Sequence, residues 1–174
     1  MYTGTYRIAG RSIAIESLYP DVHAYCAAYQ HAGEPDFTIR ITPADIARER
    51  DKSAREDQRQ GIALRAFPEG YLEELAVYRQ IADRMPAYDT LLIHGSAIAL
   101  DGAAYLFTAR SGTGKSTHTR FWRQTFGSRA VMINDDKPLV GLTDAGAVIY
   151  GTPYNGKHRL GENPVSYTHL RAHE

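Results

Sequence analysis

The sequence contains one cysteine, no excess of charge of either sign and no long apolar run. Cys26 alone cannot form an internal disulfide, which is typical of proteins in a reducing compartment. Twenty Lys and Arg residues balance twenty Asp and Glu residues, which argues against nucleic acid or an anionic membrane as a partner. Because no stretch reaches the roughly twenty apolar residues that cross a bilayer, and no signal-peptide core begins the chain, we expect a soluble cytoplasmic protein.

The sequence also has no internal repeat and no cluster of metal-ligating residues, but 43% of its 174 residues are hydrophobic, enough for a folded core. Residues 1–86 are predicted to form an α/β region whose function the sequence does not indicate. The patterns there predict two strands and three helical segments, of which the densely charged one at 44–60 is either a solvated helix or a linker. The strands are expected at 6–15 and 37–41, and the helical segments at 21–30, 44–60 and 67–85.

A glycine-rich motif, ARSGTGKS at residues 109–116, is the most informative feature of the chain. It follows an apolar run at 105–108 that predicts a buried strand, and it precedes a helical pattern over 115–126 that ends at Gly127. The pattern G-x-x-x-x-G-K-[ST] of phosphate-binding loops is met except at Ala109, where glycine is usual. The alternative is a glycine-rich turn between a strand and a helix, with a surface lysine.

The residue types in this motif fit a nucleoside triphosphate. Glycines at positive φ turn successive backbone N–H groups toward an anion, and the start of a helix carries about half a unit of positive charge. Lys115 would reach the β- and γ-phosphates, and the Ser116 hydroxyl would complete a Mg²⁺ shell that the phosphates mostly supply. We therefore predict a site for ATP and Mg²⁺ whose nucleotide-binding residues are Ser111, Gly112, Thr113, Gly114, Lys115, Ser116 and Thr117.

A second apolar run, at 130–133, ends in the polar sequence Asn134-Asp135-Asp136. Its distance from the first run suits one β-loop-α-β unit, in which a right-handed crossover would make the strands parallel and bring loop and carboxylates to one edge of the sheet. We assign Asp135 to the metal, together with Ser116, and Asp136 to accepting the proton of an attacking hydroxyl. The alternative is a solvated turn that only closes a strand.

Two further segments contain residues that suit a phosphate site. His94 ends an apolar run that predicts another strand, so it either contacts phosphate and orients the aspartates or packs as a structural residue. We include His94 with Lys115 and Asp136 among the candidate catalytic residues. Downstream, a hairpin is predicted to turn at 144–146, and the basic triplet at 157–159 either grips the acceptor or a phosphate oxygen or lies in a solvated loop.

The stretch HGSAIALDGAAYLFTARSGTGKSTHTRFW, followed by INDD, resembles the catalytic domain of bacterial HPr kinase/phosphorylase and its relatives. In that family a histidine-glycine strand, a phosphate loop and an Asp-Asp pair come in the same order. The order also looks like the nucleotide-binding half of ATP-dependent phosphoenolpyruvate carboxykinase, which has the same fold. The resemblance covers about residues 91–158 and implies a mixed α/β fold over 87–163, with a P-loop sheet and flanking helices.

The resemblance implies a kinase that uses ATP and Mg²⁺ to phosphorylate a serine-type hydroxyl of a protein or peptide. The family usually has acidic residues just before the Ser-Gly pair and just after the Lys-Ser pair of the loop. This chain has Arg110 and Thr117 there, which argues against the phosphocarrier protein as the acceptor. One alternative is a carboxykinase-like or small-molecule kinase, and another is a non-catalytic ATP-binding sensor. The acceptor and the oligomeric state are left open.

The last eleven residues, PVSYTHLRAHE at 164–174, look like the in-frame translation of a transposase adapter used to prepare shotgun DNA libraries. We expect this segment not to be native, the gene to be interrupted near Asn163, and the nucleotide-binding domain to be incomplete at its C-terminus. On this interpretation the fragment itself need not be active. Tyr167, His169 and His173 are then not interpreted as ligands, despite their spacing.

Overall fold

The computed structural model of the chain describes residues 1–156, together with the backbone of residues 166–168 and 170–171. The predictions for residues 157–159, for an interruption near Asn163 and for most of the segment 164–174 lie outside the described residues. Within the described part, the chain has four α-helices and three small sheets, so the mixed α/β class is confirmed. None of the helices described there has both the length and the apolar character needed to cross a bilayer.

The chain divides into two compact units. The first consists of Met1–Arg7 and Arg11–Asp83, and the second of Ile8–Gly10 and the chain from Arg84 onward. Three N-terminal strands form a sheet in the order β1-β2-β3, with β2 and β3 parallel. The elements of this part are β1 (Tyr2–Ile8), β2 (Arg11–Ser17), α1 (Asp21–Tyr25), β3 (Phe37–Arg40), α2 (Pro43–Gln60) and α3 (Glu69–Arg84).

The prediction of a single strand over residues 6–15 is wrong. Ala9 and Gly10 have positive φ angles of 48° and 77°, so the chain turns there and the run is divided between β1 and β2. The helical segment expected at 21–30 ends as an α-helix at Tyr25 and is followed by a 3₁₀ turn at Ala27–Tyr29. The strand expected at 37–41 and the helix expected at 67–85 are confirmed within two residues.

The charged segment at 44–60 is a helix rather than a linker, and ion pairs anchor it. Buried Glu49 pairs with Arg79 of α3, and buried Asp57 accepts bonds from the backbone N–H of Arg65 at 2.8 Å and from its guanidinium at 2.9 and 2.6 Å. The bonds from Arg65 hold the pKa of the Asp57 carboxyl below its usual range. Besides Ile46, the buried residues of α2 are therefore these two carboxylates, in place of the apolar stripe of most amphipathic helices.

The strands of the second unit form two sheets of four strands each, in the orders β10-β9-β8-β4 and β11-β6-β5-β7. The short strands β10 and β11 pair with β9 and β6 respectively. The elements are β4 (Thr90–Leu92), β5 (Ser96–Leu100), β6 (Ala103–Phe107), α4 (Lys115–Phe126), β7 (Ala130–Asn134), β8 (Leu139–Thr143), β9 (Gly146–Tyr150), β10 (Ser166–Thr168) and β11 (Leu170–Arg171).

The sheet that contains β5, β6 and β7 is covered on both faces. On one face Ile98 and Met132 pack with Trp122 and Phe126 of α4. On the other face, apolar residues of β5, β6 and β7 pack with those of β8 and β9. Alternate residues along β5 contribute to the two clusters, as the period of two in a strand requires. This packing fixes α4 against the sheet whose strands lead to the predicted site.

In a simple β-loop-α-β unit β6 and β7 would be direct neighbours, but here they are not. β5 lies between them and pairs antiparallel with both. β6 and β7 therefore run in the same direction, and their carboxyl ends meet at one edge of the sheet, as expected. The sheet is therefore not the open parallel sheet of the prediction. The strand that precedes β6 in the sequence, β5, forms a hairpin with it through a turn at Asp101 and Gly102, whose φ angles are 50° and 83°.

The hairpin predicted to turn at 144–146 is confirmed, since Thr143 of β8 pairs with Gly146 of β9. The segment after β9 is largely buried over its described part, residues 151–156. Thr152, Tyr154 and Asn155 are buried, and the Asn155 amide donates to the Thr152 carbonyl oxygen at 2.9 Å. This buried segment leads the chain to Gly156, at the edge where β7 ends.

We predict that Asp57→Asn lowers the free energy of unfolding at pH 7. Because the pKa of Asp57 is lowered in the folded state, the ionised carboxylate stabilises the fold above the usual carboxyl pKa of about 4. This contribution is lost as the pH falls through the lowered pKa, so the difference from wild type narrows in acid. Urea denaturation followed by circular dichroism between pH 7 and pH 3 measures it.

The matched control is Asp51→Asn, an exposed position on the same helix. It should change the free energy of unfolding little at any pH. Equal losses in the two variants would contradict the role of the Asp57 pair.

Candidate functional site

The glycine-rich loop at residues 109–114 connects β6 to α4, as predicted. Gly112 and Gly114 lie in the left-handed region, with φ angles of 83° and 98°, which confirms the expectation of positive φ. The first bond within the helix is donated by His118 N–H to the Gly114 carbonyl oxygen at 2.9 Å. Because the N-cap is a glycine, no side chain caps the N–H groups of residues 115–117. The start of α4 is therefore a set of amide donors without helical acceptors.

Lys115 is half-buried and spans the loop. Its ammonium donates to the carbonyl oxygens of Ala109 at 2.9 Å and Arg110 at 3.4 Å. Thr113 also bonds inward, since its hydroxyl donates to the Arg110 carbonyl oxygen at 2.8 Å. These contacts close the loop on itself and hold one positive charge at its centre.

A cavity of about 460 Å³ brings together residues from separate parts of the sequence. Its volume lies within the range of about 300–1,000 Å³ that is common for ligand pockets. It is lined by His94, Ser111, Gly112, Gly114, Lys115, Ser116, Thr117, Asp135, Asp136 and Gly156. Of the predicted site residues only Thr113 is missing from this lining, and it lines a neighbouring cavity instead. The loop and both aspartates thus lie at the same edge of the sheet.

A fixed turn presents the two aspartates. The side-chain oxygen of buried Asn134 accepts bonds from the backbone N–H groups of Asp136 at 2.9 Å and Lys137 at 2.7 Å, and its amide donates to the Thr152 hydroxyl at 2.9 Å. A β-bulge precedes the turn, because the pairing with β5 skips Ile133. The Asn-Asp-Asp sequence is therefore a hydrogen-bonded structure, and the interpretation as a freely solvated turn does not describe it.

Asp135 is buried and accepts a hydrogen bond from Ser96, whose hydroxyl is in turn bonded to Thr119. Ser96, the first residue of β5, donates to Asp135 Oδ1 at 2.7 Å, and the hydroxyl oxygens of Ser96 and Thr119 are 2.9 Å apart. A carboxylate can only accept, so Ser96 uses its single proton on Asp135, and Thr119 of α4 donates to Ser96. This chain connects the first turns of α4 to Asp135 and leaves Asp135 Oδ2 without a bond to Ser96.

Asp136 lies between two basic side chains. Its carboxylate oxygens are 3.6 Å from His94 Nε2 and 3.4 Å from Lys137 Nζ. The prediction that His94 ends a strand is wrong, because β4 ends at Leu92 and β5 begins at Ser96. It lies in the connection, with 51% of its side chain exposed, and it lines the cavity. The structural alternative of a packed histidine therefore does not describe it.

Backbone contacts explain why His94 lies beside Asp136. The Ile93 N–H donates to the Pro138 carbonyl oxygen at 3.1 Å, and the Gly95 N–H donates to the Asp136 carbonyl oxygen at 3.0 Å. Only glycine fits at position 95, since a Cβ there would lie 2.9 Å from the Phe107 carbonyl oxygen. The histidine-glycine pair is thus locked between β6 and the aspartate turn.

Sequence reasoning missed the residues that position the candidate site. Ser96 had a signal, since it is a polar residue at the start of an apolar strand. Thr119 had a weaker one, because it is three residues from Trp122 on the face that α4 buries. Gly156 had none, although a Cβ there would lie 3.1 Å from the Cβ of Asp136. Each of these residues contacts a partner twenty or more residues away in the sequence.

Among the described residues, no group of three or more His, Cys, Asp or Glu side chains is arranged to hold a metal ion. A magnesium ion that binds together with a nucleotide does not need such a group. It usually takes one or two carboxylates and completes its shell with phosphates and water. The two residues assigned to the metal from the sequence, Asp135 and Ser116, both line the cavity, as does Asp136.

We predict that Ser96→Ala lowers the free energy of unfolding by about 1–3 kcal/mol at pH 7, because it leaves a buried carboxylate oxygen without its donor. Urea denaturation measures the change. The matched control is Ser111→Ala, which removes an exposed hydroxyl from the same cavity and should stay within about 0.5 kcal/mol of wild type. A Ser96 variant as stable as this control would show that the hydroxyl chain does not hold Asp135.

No protein-family model matches the chain, and no curated protein matches it. The functional interpretation therefore depends on the residues around the cavity. The resemblance of residues 91–158 to HPr kinase/phosphorylase stays a prediction, based on the motifs and their order along the chain.

Proposed function

We propose that this protein is an ATP- and Mg²⁺-dependent kinase that transfers the γ-phosphoryl group to a serine-type hydroxyl of a protein or peptide. One observation carries the proposal: the amides and lysine of the glycine-rich loop and the two aspartates after β7 surround one cavity. Phosphoryl transfer depends mainly on positioning and on neutralising charge, and this combination offers both. The choice of a serine-type hydroxyl rests on the resemblance to HPr kinase/phosphorylase.

The phosphates are assigned to the loop and the first turn of α4. The N–H groups of residues 115–117 and the dipole of α4 favour an anion at this position. The Lys115 ammonium, which bonds to two carbonyl oxygens of the loop, would exchange them for phosphate oxygens. A bond between two charged groups is stronger than one to a neutral carbonyl, so this exchange is favourable.

The metal is assigned to Asp135 and Ser116. Asp135 accepts a bond from Ser96 and lines the cavity, where its carboxylate would be available to a cation. The ion, when bound, neutralises charge that develops on the phosphates during transfer. The protein's part is to keep the carboxylate in place, which the bond from Ser96 does, while Thr119 bonds to the Ser96 hydroxyl.

In the transfer step, the acceptor oxygen forms a bond to the γ-phosphorus while the bond from that phosphorus to the β–γ bridging oxygen breaks. Asp136 would take the proton of the hydroxyl, and ADP leaves with the bridging oxygen. His94 and Lys137 flank the Asp136 carboxylate and would fix its orientation. Because the side chains of His94 and Asp136 are 51% and 29% exposed, an acceptor on another protein's surface has access to this end of the cavity.

Lys115→Ala is expected to weaken Mg·ATP binding by about tenfold to somewhat more than a hundredfold. The range corresponds to the roughly 1.5–3 kcal/mol of a hydrogen bond to a charged group. Isothermal titration calorimetry with the full chain measures the affinity. Lys52→Ala, which removes a lysine from α2, is the control and should bind as wild type does. Unchanged affinity in Lys115→Ala would falsify the phosphate assignment.

Asp136→Asn is expected to retain nucleotide affinity and to lose about 10²- to 10⁴-fold in transfer rate, as for the removal of a general base. Transfer of labelled γ-phosphate to serine peptides measures the rate. Asp144→Asn, in the exposed turn between β8 and β9, serves as the control and should transfer at the wild-type rate.

The same assay separates the proposed kinase from its rivals when the acceptor is varied. Transfer only to small acids would identify a carboxykinase-like or small-molecule enzyme, and ATP binding without transfer to any acceptor would identify a sensor. A normal transfer rate in Asp136→Asn would remove Asp136 as the base.

A further inference from the structure

A second cavity, of about 310 Å³, adjoins the first. Gly114 and Lys115 line both cavities, so the two meet at the glycine-rich loop. The other walls of the second cavity come from the end of β6, from the loop and from the first turn of α4. These walls are formed by Leu106, Phe107, Thr108, Ala109, Thr113 and His118. The volume is at the lower limit of the range for ligand pockets, which suits part of a ligand rather than a whole one.

The direction of a bound triphosphate follows from the first cavity. Its metal-binding and proton-accepting carboxylates belong to the reacting γ end, because the acceptor must reach the γ-phosphorus there. The remainder of the nucleotide therefore extends away from Asp135 and Asp136, across Lys115 and Gly114. The second cavity begins at these two residues and contains neither aspartate.

The surface chemistry of the second cavity suits a flat aromatic group. His118 is exposed and Phe107 is half-buried, with their ring centroids 4.6 Å apart and their planes at 70°. Phe107 thus supports the imidazole from one side, and the exposed imidazole provides a face on which another ring can stack. Thr108, also exposed, adds a hydroxyl group to the same wall. Bases stack on exposed aromatic side chains through their π-faces, and this stacking depends little on which base it is.

We propose that the second cavity binds the nucleoside of the nucleotide, with the base stacked on His118. The proposal rests on the kinase function proposed above, since it assigns the rest of the same ligand. On this assignment the phosphoryl donor is a nucleoside triphosphate. An inorganic polyphosphate, which would contact only the glycine-rich loop, would bind less tightly.

The test compares Mg·ATP with Mg·tripolyphosphate, which has the phosphates but no nucleoside. In calorimetry with the full chain, His118→Ala is expected to weaken ATP about tenfold and to leave tripolyphosphate within about twofold of wild type. His118→Phe keeps an aromatic face and should retain most of the ATP affinity. Gln124→Ala, an exposed position of α4 that lines neither cavity, is the matched control and should bind both ligands as wild type does.

Fluorescence provides an independent measurement, because Trp122 is the only tryptophan of the chain. Its ring centroid is 6.1 Å from that of His118 and 5.3 Å from that of Phe107. A base stacked on His118 should change the emission of Trp122, whereas tripolyphosphate should leave it unchanged.

Each outcome decides the proposal. Equal losses for both ligands in His118→Ala, or an unchanged ATP affinity, would overturn the nucleoside assignment while the phosphate site stands. Equal wild-type affinity for ATP and tripolyphosphate, with no change in Trp122 emission on ATP binding, would do the same. If wild type binds neither ligand, the proposed kinase function itself fails, and the nucleoside assignment fails with it.

Discussion

The second unit depends on the position of β5 between β6 and β7. A strand that pairs antiparallel with both neighbours makes them run in the same direction, so the segments that follow them emerge at one edge of the sheet. β5 itself begins at that edge, which brings Ser96 next to Asp135. One three-stranded pattern therefore gathers the lysine, the carboxylates and the hydroxyl groups that hold them, although they are distant in the sequence.

The aromatic face of α4 completes this arrangement. Trp122 and Phe126 pack on Ile98 and Met132, and the ring of Trp122 also contacts Phe107 at the end of β6. A helix held along its length by such contacts has a fixed first turn. The amide donors at its start are therefore held in place, which would lower the ordering cost of the anion binding proposed above.

Local signals in the sequence predicted the parts of the fold and of the site that local physics determines. The glycines of the loop, the helix over 115–126 and the turn at 144–146 each follow from a few adjacent residues, and all three are confirmed. The insertion of β5 was not predicted, because it depends on which strands pair and not on any one strand. The same holds for Ser96 and for Asp57, whose partners are fixed only when the chain is folded. The division of residues 2–17 into two strands was missed because Ala9, unlike glycine, rarely adopts positive φ.

The hydroxyl chain from Thr119 through Ser96 to Asp135 makes two kinds of recognition interdependent. The helix whose first amides are proposed to bind phosphate is connected, through the hydroxyl groups of Thr119 and Ser96, to the carboxylate proposed to bind the metal. A small displacement of the start of α4 would therefore shift the Asp135 carboxylate, and a shift of the carboxylate would displace the start of α4. Thermodynamic linkage requires any such coupling to be reciprocal, so on the proposed function each ion changes the affinity for the other by the same factor.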